Sequence, residues 1–108
     1  MTLQEREARA CAIIDSMAEE LCDVSLYLHD NPELGLDEHK AVKVINQFLE
    51  THNFTSQVGL TDLPELQTAL RGDYNGSAQH KIAFLGEYDA LPELGHGCGH
   101  NLIAMMSL

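Results

Sequence analysis

Between Leu3 and His29 the apolar residues Ile14, Met17, Leu21, Val24 and Leu28 recur at alternating spacings of three and four, which places them on one stripe of a helix. The spacing predicts a single long amphipathic helix over about residues 3–29. Cys11 and Cys22 project from nearly the same angle beside that stripe and are expected as small, partly buried core residues. "HDNPELG" then stops the helix, because Asn31 precedes a proline and Gly35 ends the turn. A second helix is expected from near Asp37, whose carboxylate can cap free amides at the positive end of the helix dipole. Ala41, Val44, Ile45 and Phe48 form its buried face.

After Asn53 the pattern changes period. "FTSQV" alternates like a strand, and "QTALRGDY" resembles another, closed by a polar turn, "DYNGS", of the kind that joins antiparallel neighbours. "HKIAFLGEYD" follows, and its four-residue apolar run from Ile82 to Leu85 suits a strand buried on both faces. The order helix, helix, strand, strand, strand, loop, helix describes the start of an α/β domain with a mixed sheet flanked by helices. No internal repeat or low-complexity linker interrupts it.

Composition narrows the class. With 108 residues, 44% of them hydrophobic, the chain holds one small domain at most. Six basic residues against seventeen acidic ones give a net charge of -11, and no stretch clusters Lys or Arg, so nucleic acid and membranes are excluded as partners. "MTLQEREARA" lacks the apolar core of a secretory signal, and no apolar run approaches the ~20 residues that cross a bilayer. Three cysteines without a CxxC pair fit free thiols in a reducing, cytoplasmic setting. "NLIAMMSL" reads as the first two turns of an apolar helix without a stop signal, so the chain is expected to be a piece of a longer protein.

The chemistry concentrates in "GEYDALPELGHGCGHN", beyond the carboxyl end of the buried run, where ligands of open α/β sheets bind. If residues 95–100 run extended, His96, Cys98 and His100 face one side and the glycines the other. The glycines let the loop bend until Cys98 and His100 approach one ion. A thiolate and an imidazole favour zinc, and carboxylate-completed sites also take manganese or cobalt. Two donors are fewer than the three or four a metal site needs, so on spacing alone a zinc loop and a glycine turn with incidental histidines both stand. Glu87 and Asp89, two apart, read equally as solvated acids or as a pair facing the cleft, with Asp89 accepting a hydrogen bond from a ligand histidine.

"EYDALPELGHGCGHNLI" closely resembles the first metal-site segment of the zinc-dependent amidohydrolases and metallopeptidases related to aminoacylase and carboxypeptidase G. The likeness is to the branch that contains aminobenzoyl-glutamate hydrolase and the aminoacylase-like dipeptidases. "LHDNPELGLDEHKA" is similar to that branch's N-terminal signature, and "LQTALRGDY" to its following strand, with Gln67 where the family usually has proline. The resemblance covers about residues 25–108.

It implies a zinc-peptidase-like three-layer fold, of which residues 1–108 are the N-terminal portion of the catalytic domain without the dimerisation or lid domain. It also implies Cys98 and His100 as metal ligands and Asp89 as the acid that orients the site. Glu87 falls where other branches have a ligand histidine, and His96 is assigned a hydrogen bond behind the ligands. Asn101 stands where many indole-amino-acid and hippurate hydrolases have Asp, which favours the aminobenzoyl-glutamate and dipeptidase branch. The implied reaction is metal-assisted hydrolysis of an amide in a dipeptide or N-acyl amino acid, by a parent protein that is often a homodimer. The family's general-base glutamate, an adjacent glutamate ligand and two further histidine ligands belong to a later segment, so this chain is expected to be inactive alone.

Two other readings come from different classes. A non-catalytic truncated module would associate with a partner subunit, and a thiol-redox protein would use Cys98, although no resolving cysteine lies near it. His29, at a helix C-terminus, is expected to serve the helix dipole. His39, His52 and His80 are expected as solvated surface residues.

Overall fold

The computed structural model describes residues 1–60 and 62–108. Helix α1 (Leu3–Ser16) opens with a capping box: the Glu5 amide donates to Thr2 Oγ1 at 3.2 Å, and the Thr2 amide donates to the Glu5 carboxylate at 2.7 Å. The bond from the Thr2 backbone, with the Thr2 hydroxyl behind it, holds the Glu5 carboxyl below its ordinary value.

The expected single helix is broken at Met17, and α2 (Ala18–Asp30) starts beyond it. The Ser16 hydroxyl donates to the Ile13 carbonyl at 2.6 Å, an alternative to the main-chain ladder at the break. Helix α1 contributes no buried residue, so Ile14 lies exposed, and Cys11 and Cys22 are exposed rather than partly buried. Periodicity identifies the apolar face of a helix without saying whether anything covers it.

The core forms between α2, α3 (His39–Thr51) and α4 (His100–Ser107). Leu21, Val24 and Leu28 of α2 pack with Ala41, Ile45 and Phe48 of α3 and Ala104 of α4. Val44 is only half-buried, and Val42 is buried in its place. Asp37 does not cap α3. The Glu33 carboxylate does so instead, accepting from the Lys40 amide at 2.9 Å and the Ala41 amide at 2.8 Å, because the turn after Pro32 carries Glu33 back over the helix start. Asp37 lies 3.0 Å from His39 Nε2.

Helix α4 is held to α2 by Asn101, whose buried amide donates to the Ser25 hydroxyl at 3.2 Å and to its carbonyl at 3.4 Å. His29 pairs with Asp30 at 3.2 Å, and His39 and His80 are exposed. His52 is not a solvated residue: its Nε2 lies 3.0 Å from the Glu20 carboxylate and its ring centroid 4.4 Å from that of Phe48. It joins the end of α3 to the start of α2.

Strands β1 (Thr55–Val58) and β2 (Leu70–Asp73) pair antiparallel, with Thr55 opposite Asp73 and Val58 opposite Leu70. The fold is thus α/β, helices with a small antiparallel sheet. "DYNGS" does not join two strands, because the partner of β2 precedes it in the chain. The expected third strand, Ile82–Leu85, is not formed among the described residues, and Ile82, Phe84 and Leu85 are 84%, 82% and 93% exposed. A strand needs a hydrogen-bonded neighbour, and an apolar run states only that its surroundings should be apolar. Among the described residues no helix is long and apolar enough to cross a membrane.

Candidate functional site

Residues 87–90 lead past the turn that ends α2, where Ala90 forms a parallel bridge with Leu34 and its amide donates to the Glu33 carbonyl at 2.7 Å. Glu87 and Asp89 both reach His100, whereas Tyr88 between them turns to the core. The Tyr88 ring packs against the core cluster and its hydroxyl donates to the Thr68 carbonyl. Thr68, itself buried, donates its hydroxyl to the buried carboxylate of Glu38 at the start of α3.

Burial first, then the nearby Glu38 charge, pushes the Tyr88 phenol up to about 12. Because this value is raised on folding, the associated stability is fully present below the ordinary tyrosine range and is lost as pH climbs from about 10 toward 12. In an ultraviolet titration one of the three tyrosines should therefore resist ionisation until about pH 12, and Tyr88→Phe should remove that late step.

"GHGCGH" is not extended. Leu91 and Gly95 exchange reciprocal main-chain hydrogen bonds at 2.9 and 3.0 Å, His96–Cys98 form one 3-10 turn, and α4 begins at His100. The period of two therefore fails for His96, which turns away into the protein.

Gly95 (φ 60, ψ -138) and Gly99 (φ 81, ψ 12) lie where side-chain-bearing residues are strained, and these two angles reverse the chain on either side of the turn. Gly95→Ala should cost about 1–3 kcal/mol in a urea unfolding experiment, the usual penalty for such a conformation. An unchanged midpoint would mean that the loop relaxes without Gly95.

His100 is gripped at both ring nitrogens. Its Nδ1 lies 2.7 Å from Asp89 Oδ1 and 3.1 Å from the Asp89 main-chain oxygen, and its Nε2 lies 3.0 Å from Glu87 Oε2. The Cys98 thiol donates to the same Asp89 main-chain oxygen at 3.7 Å. Asp89 thus stands between the two residues of the Cys-x-His pair. Its side chain is 36% exposed against 67% for Glu87, so water screens the Asp89 contact less.

His96 is buried, and its Nδ1 makes no hydrogen bond among the described residues; the hydrogen bond expected behind the ligands is absent at that nitrogen. Burial chiefly lowers its pKa, with His29 and His100 adding to the effect and Asp89 and the Leu28 backbone opposing it.

Cys98 and His100 are a thiol and an imidazole, the donor chemistry of zinc, but they are two donors. Among the described residues no three His, Cys, Asp or Glu side chains converge where an ion could sit. The donor set fits part of a metal site.

Glu33, Glu38, Thr68 and Tyr88 were not legible as supports of this site. Only Tyr88 left a signal, its place between two acids. The contacts of Glu33 and Thr68 join residues far apart in sequence.

No family model matches the chain. It is 38% identical over 108 residues to a Mus musculus protein named Xaa-Arg dipeptidase, an alignment that covers 94% of this chain and 25% of that protein. It is 36% identical over 111 residues to the Homo sapiens protein of the same name, with 94% and 26% covered. It is 29% identical over 107 residues to one subunit of the p-aminobenzoyl-glutamate hydrolase of Escherichia coli, with 83% and 21% covered. The chain spans about a quarter of the length of the curated relatives it matches.

Proposed function

Given that this chain belongs to the amidohydrolase and peptidase family of these relatives, we propose that it carries part of a divalent-metal site in a protein that hydrolyses an amide bond. The substrate class is a dipeptide, with an arginine-containing one as the first choice from the names of the mouse and human relatives, or an N-acyl amino acid such as aminobenzoyl-glutamate. The observation that carries the reading is the hold of Asp89 on His100 Nδ1, with the Cys98 thiol on the same residue's carbonyl.

An imidazole whose Nδ1–H is bound to a carboxylate leaves Nε2, here 3.0 Å from Glu87 Oε2, as the nitrogen an ion would take, and carboxylate–histidine pairs of this kind orient metal-binding histidines. Cys98 Sγ and His100 Nε2 would hold the ion, zinc first and manganese or cobalt as alternatives. The ion, when bound, supplies Lewis acidity toward an amide carbonyl. Asp89 fixes the ring and its tautomer, and Glu87 supplies negative charge at the Nε2 side. The three free thiols agree with a reducing compartment, and we place the protein in the cytoplasm.

The test is to express the protein with whatever coding sequence follows Leu108 in its gene and to assay arginine-containing dipeptides and aminobenzoyl-glutamate. Hydrolysis that is lost on chelation and in Cys98→Ser supports the proposal. Hydrolysis that survives both, or a stop codon directly after Leu108, sinks it for this product.

A second reading, a non-catalytic module that associates with a partner subunit, is favoured by the exposed run at Ile82, Phe84 and Leu85 and by the name of the bacterial relative, which makes it one subunit of its hydrolase. Cooperative unfolding of a soluble monomer would argue against it.

A further inference from the structure

We propose that Tyr88 is the positioning residue of this site: its hydroxyl, tied to the Thr68 main chain, sets the register in which Glu87 and Asp89 meet the two nitrogens of His100. The consequence for metal affinity rests on the metal-site proposal, whereas the placing of His100 is independent of it.

Among the described residues, 74–89 make no main-chain hydrogen bond to other main chain, so no sheet ladder sets where Glu87 and Asp89 stand. Just upstream, Ile82, Phe84 and Leu85 are turned to solvent. Gly86 lies against Ser107 of α4, and the Ala90 amide is bound to the Glu33 carbonyl. Between these two points the inward-facing side chain is Tyr88. Its ring rests on the core cluster, and its hydroxyl enters a sequence of bonds, the half-buried one from Tyr88 to the Thr68 carbonyl and the buried one from the Thr68 hydroxyl to Glu38, which ends on the residue just before α3.

Tyr88 thereby connects an otherwise unladdered segment to the helices that form the core. Glu87 and Asp89 flank it on the opposite side, so a shift or rotation of Tyr88 moves both carboxylates together relative to His100. Protein N–H···O hydrogen bonds span about 2.7–3.2 Å, so a displacement of Asp89 by more than about half an ångström from its 2.7 Å contact would break the bond to His100. A ring packed on apolar neighbours but lacking its hydroxyl would keep the burial and lose the directional anchor.

The experiment compares the wild-type chain with Tyr88→Phe, Thr68→Val and Asp89→Asn. At one fixed pH and without metal, two-bond nitrogen–proton correlation spectra read the Nδ1 and Nε2 signals of His100, and thermal melts are recorded in parallel. Tyr88→Phe should move the His100 Nδ1 signal in the direction that Asp89→Asn moves it, by a smaller amount, while the melt stays within a few degrees of wild type. Thr68→Val keeps both the tyrosine and its acceptor carbonyl and loosens their tie to Glu38; it should give a smaller shift of the same sign and stands in if Tyr88→Phe does not fold.

A lowered melting temperature with an unmoved His100 signal would make Tyr88 a stabilising residue only and overturn the proposal. A zinc titration completes the design: about a tenfold loss of affinity is expected in Tyr88→Phe, the low end of the usual effect of residues that support a metal ligand. If the protein expressed with whatever coding sequence follows Leu108 binds no zinc, the metal-site reading is overturned, and the His100 spectra still decide the role of Tyr88.

Discussion

Asp89→Asn, in the protein expressed with whatever coding sequence follows Leu108, should lower zinc affinity by about 10–100-fold, the range seen when the partner behind a ligand histidine is removed. The ionised Asp89 carboxylate only accepts, and at 2.7 Å it holds the His100 proton at Nδ1. An asparagine can turn either its oxygen or its amide toward the ring, and the amide would select the opposite tautomer, whose Nε2 carries a proton and cannot bind an ion. His100→Ala and Cys98→Ser remove donors outright and should abolish binding in the concentration range where the wild type saturates. Competition with a chromophoric chelator measures these affinities. Cobalt in place of zinc adds a thiolate-to-metal band that should vanish in Cys98→Ser and persist, weakened, in Asp89→Asn. Equal affinities in all four proteins would mean that the histidines bind metal elsewhere or not at all.

The second large effect is on stability. Leu28 is 1% exposed and packs where α2, α3 and α4 meet. Leu28→Ala should cost about 3 kcal/mol, since Leu-to-Ala changes in well-packed cores lose 2–5 kcal/mol through transfer and cavity terms together. The whole stability of a small domain is only about 5–15 kcal/mol, so urea unfolding should show a clear drop in midpoint. Ile14→Ala, on the exposed face of α1, should change it by less than about 0.5 kcal/mol, as surface substitutions do. If the two variants behaved alike, α1 would be covered in solution by something other than the described residues.

The contrast between Leu28 and Ile14 shows what a pattern of residues carries. Both belong to one stripe spaced by threes and fours, and the spacing marks helical structure but not the break at Met17 that puts Ile14 on α1 and Leu28 on α2. One is the centre of the core and the other is bathed in water, because burial depends on what stands opposite, which local sequence does not encode. The same limit explains Ile82–Leu85, an apolar run with strand character that has no ladder to join.

The site divides in the same way. Spacing left Glu87 and Asp89 open between solvated acids and a facing pair, whereas the Cys98-x-His100 donor pair and the glycines that let its loop bend were legible in residue types and short spacings. Such properties depend on covalent geometry and donor chemistry that act within a few residues.

The tertiary structure decided the rest. It turned His96 inward with the 3-10 turn, gave the capping of α3 to Glu33 rather than Asp37, and joined His52 to Glu20. It also brought Thr68 under Tyr88, so that a segment without a ladder holds two carboxylates against one imidazole. Each of these links groups well separated along the chain or depends on how the backbone folds around them, and a hydrogen bond is fixed by distances of a few tenths of an ångström that only the packed core sets.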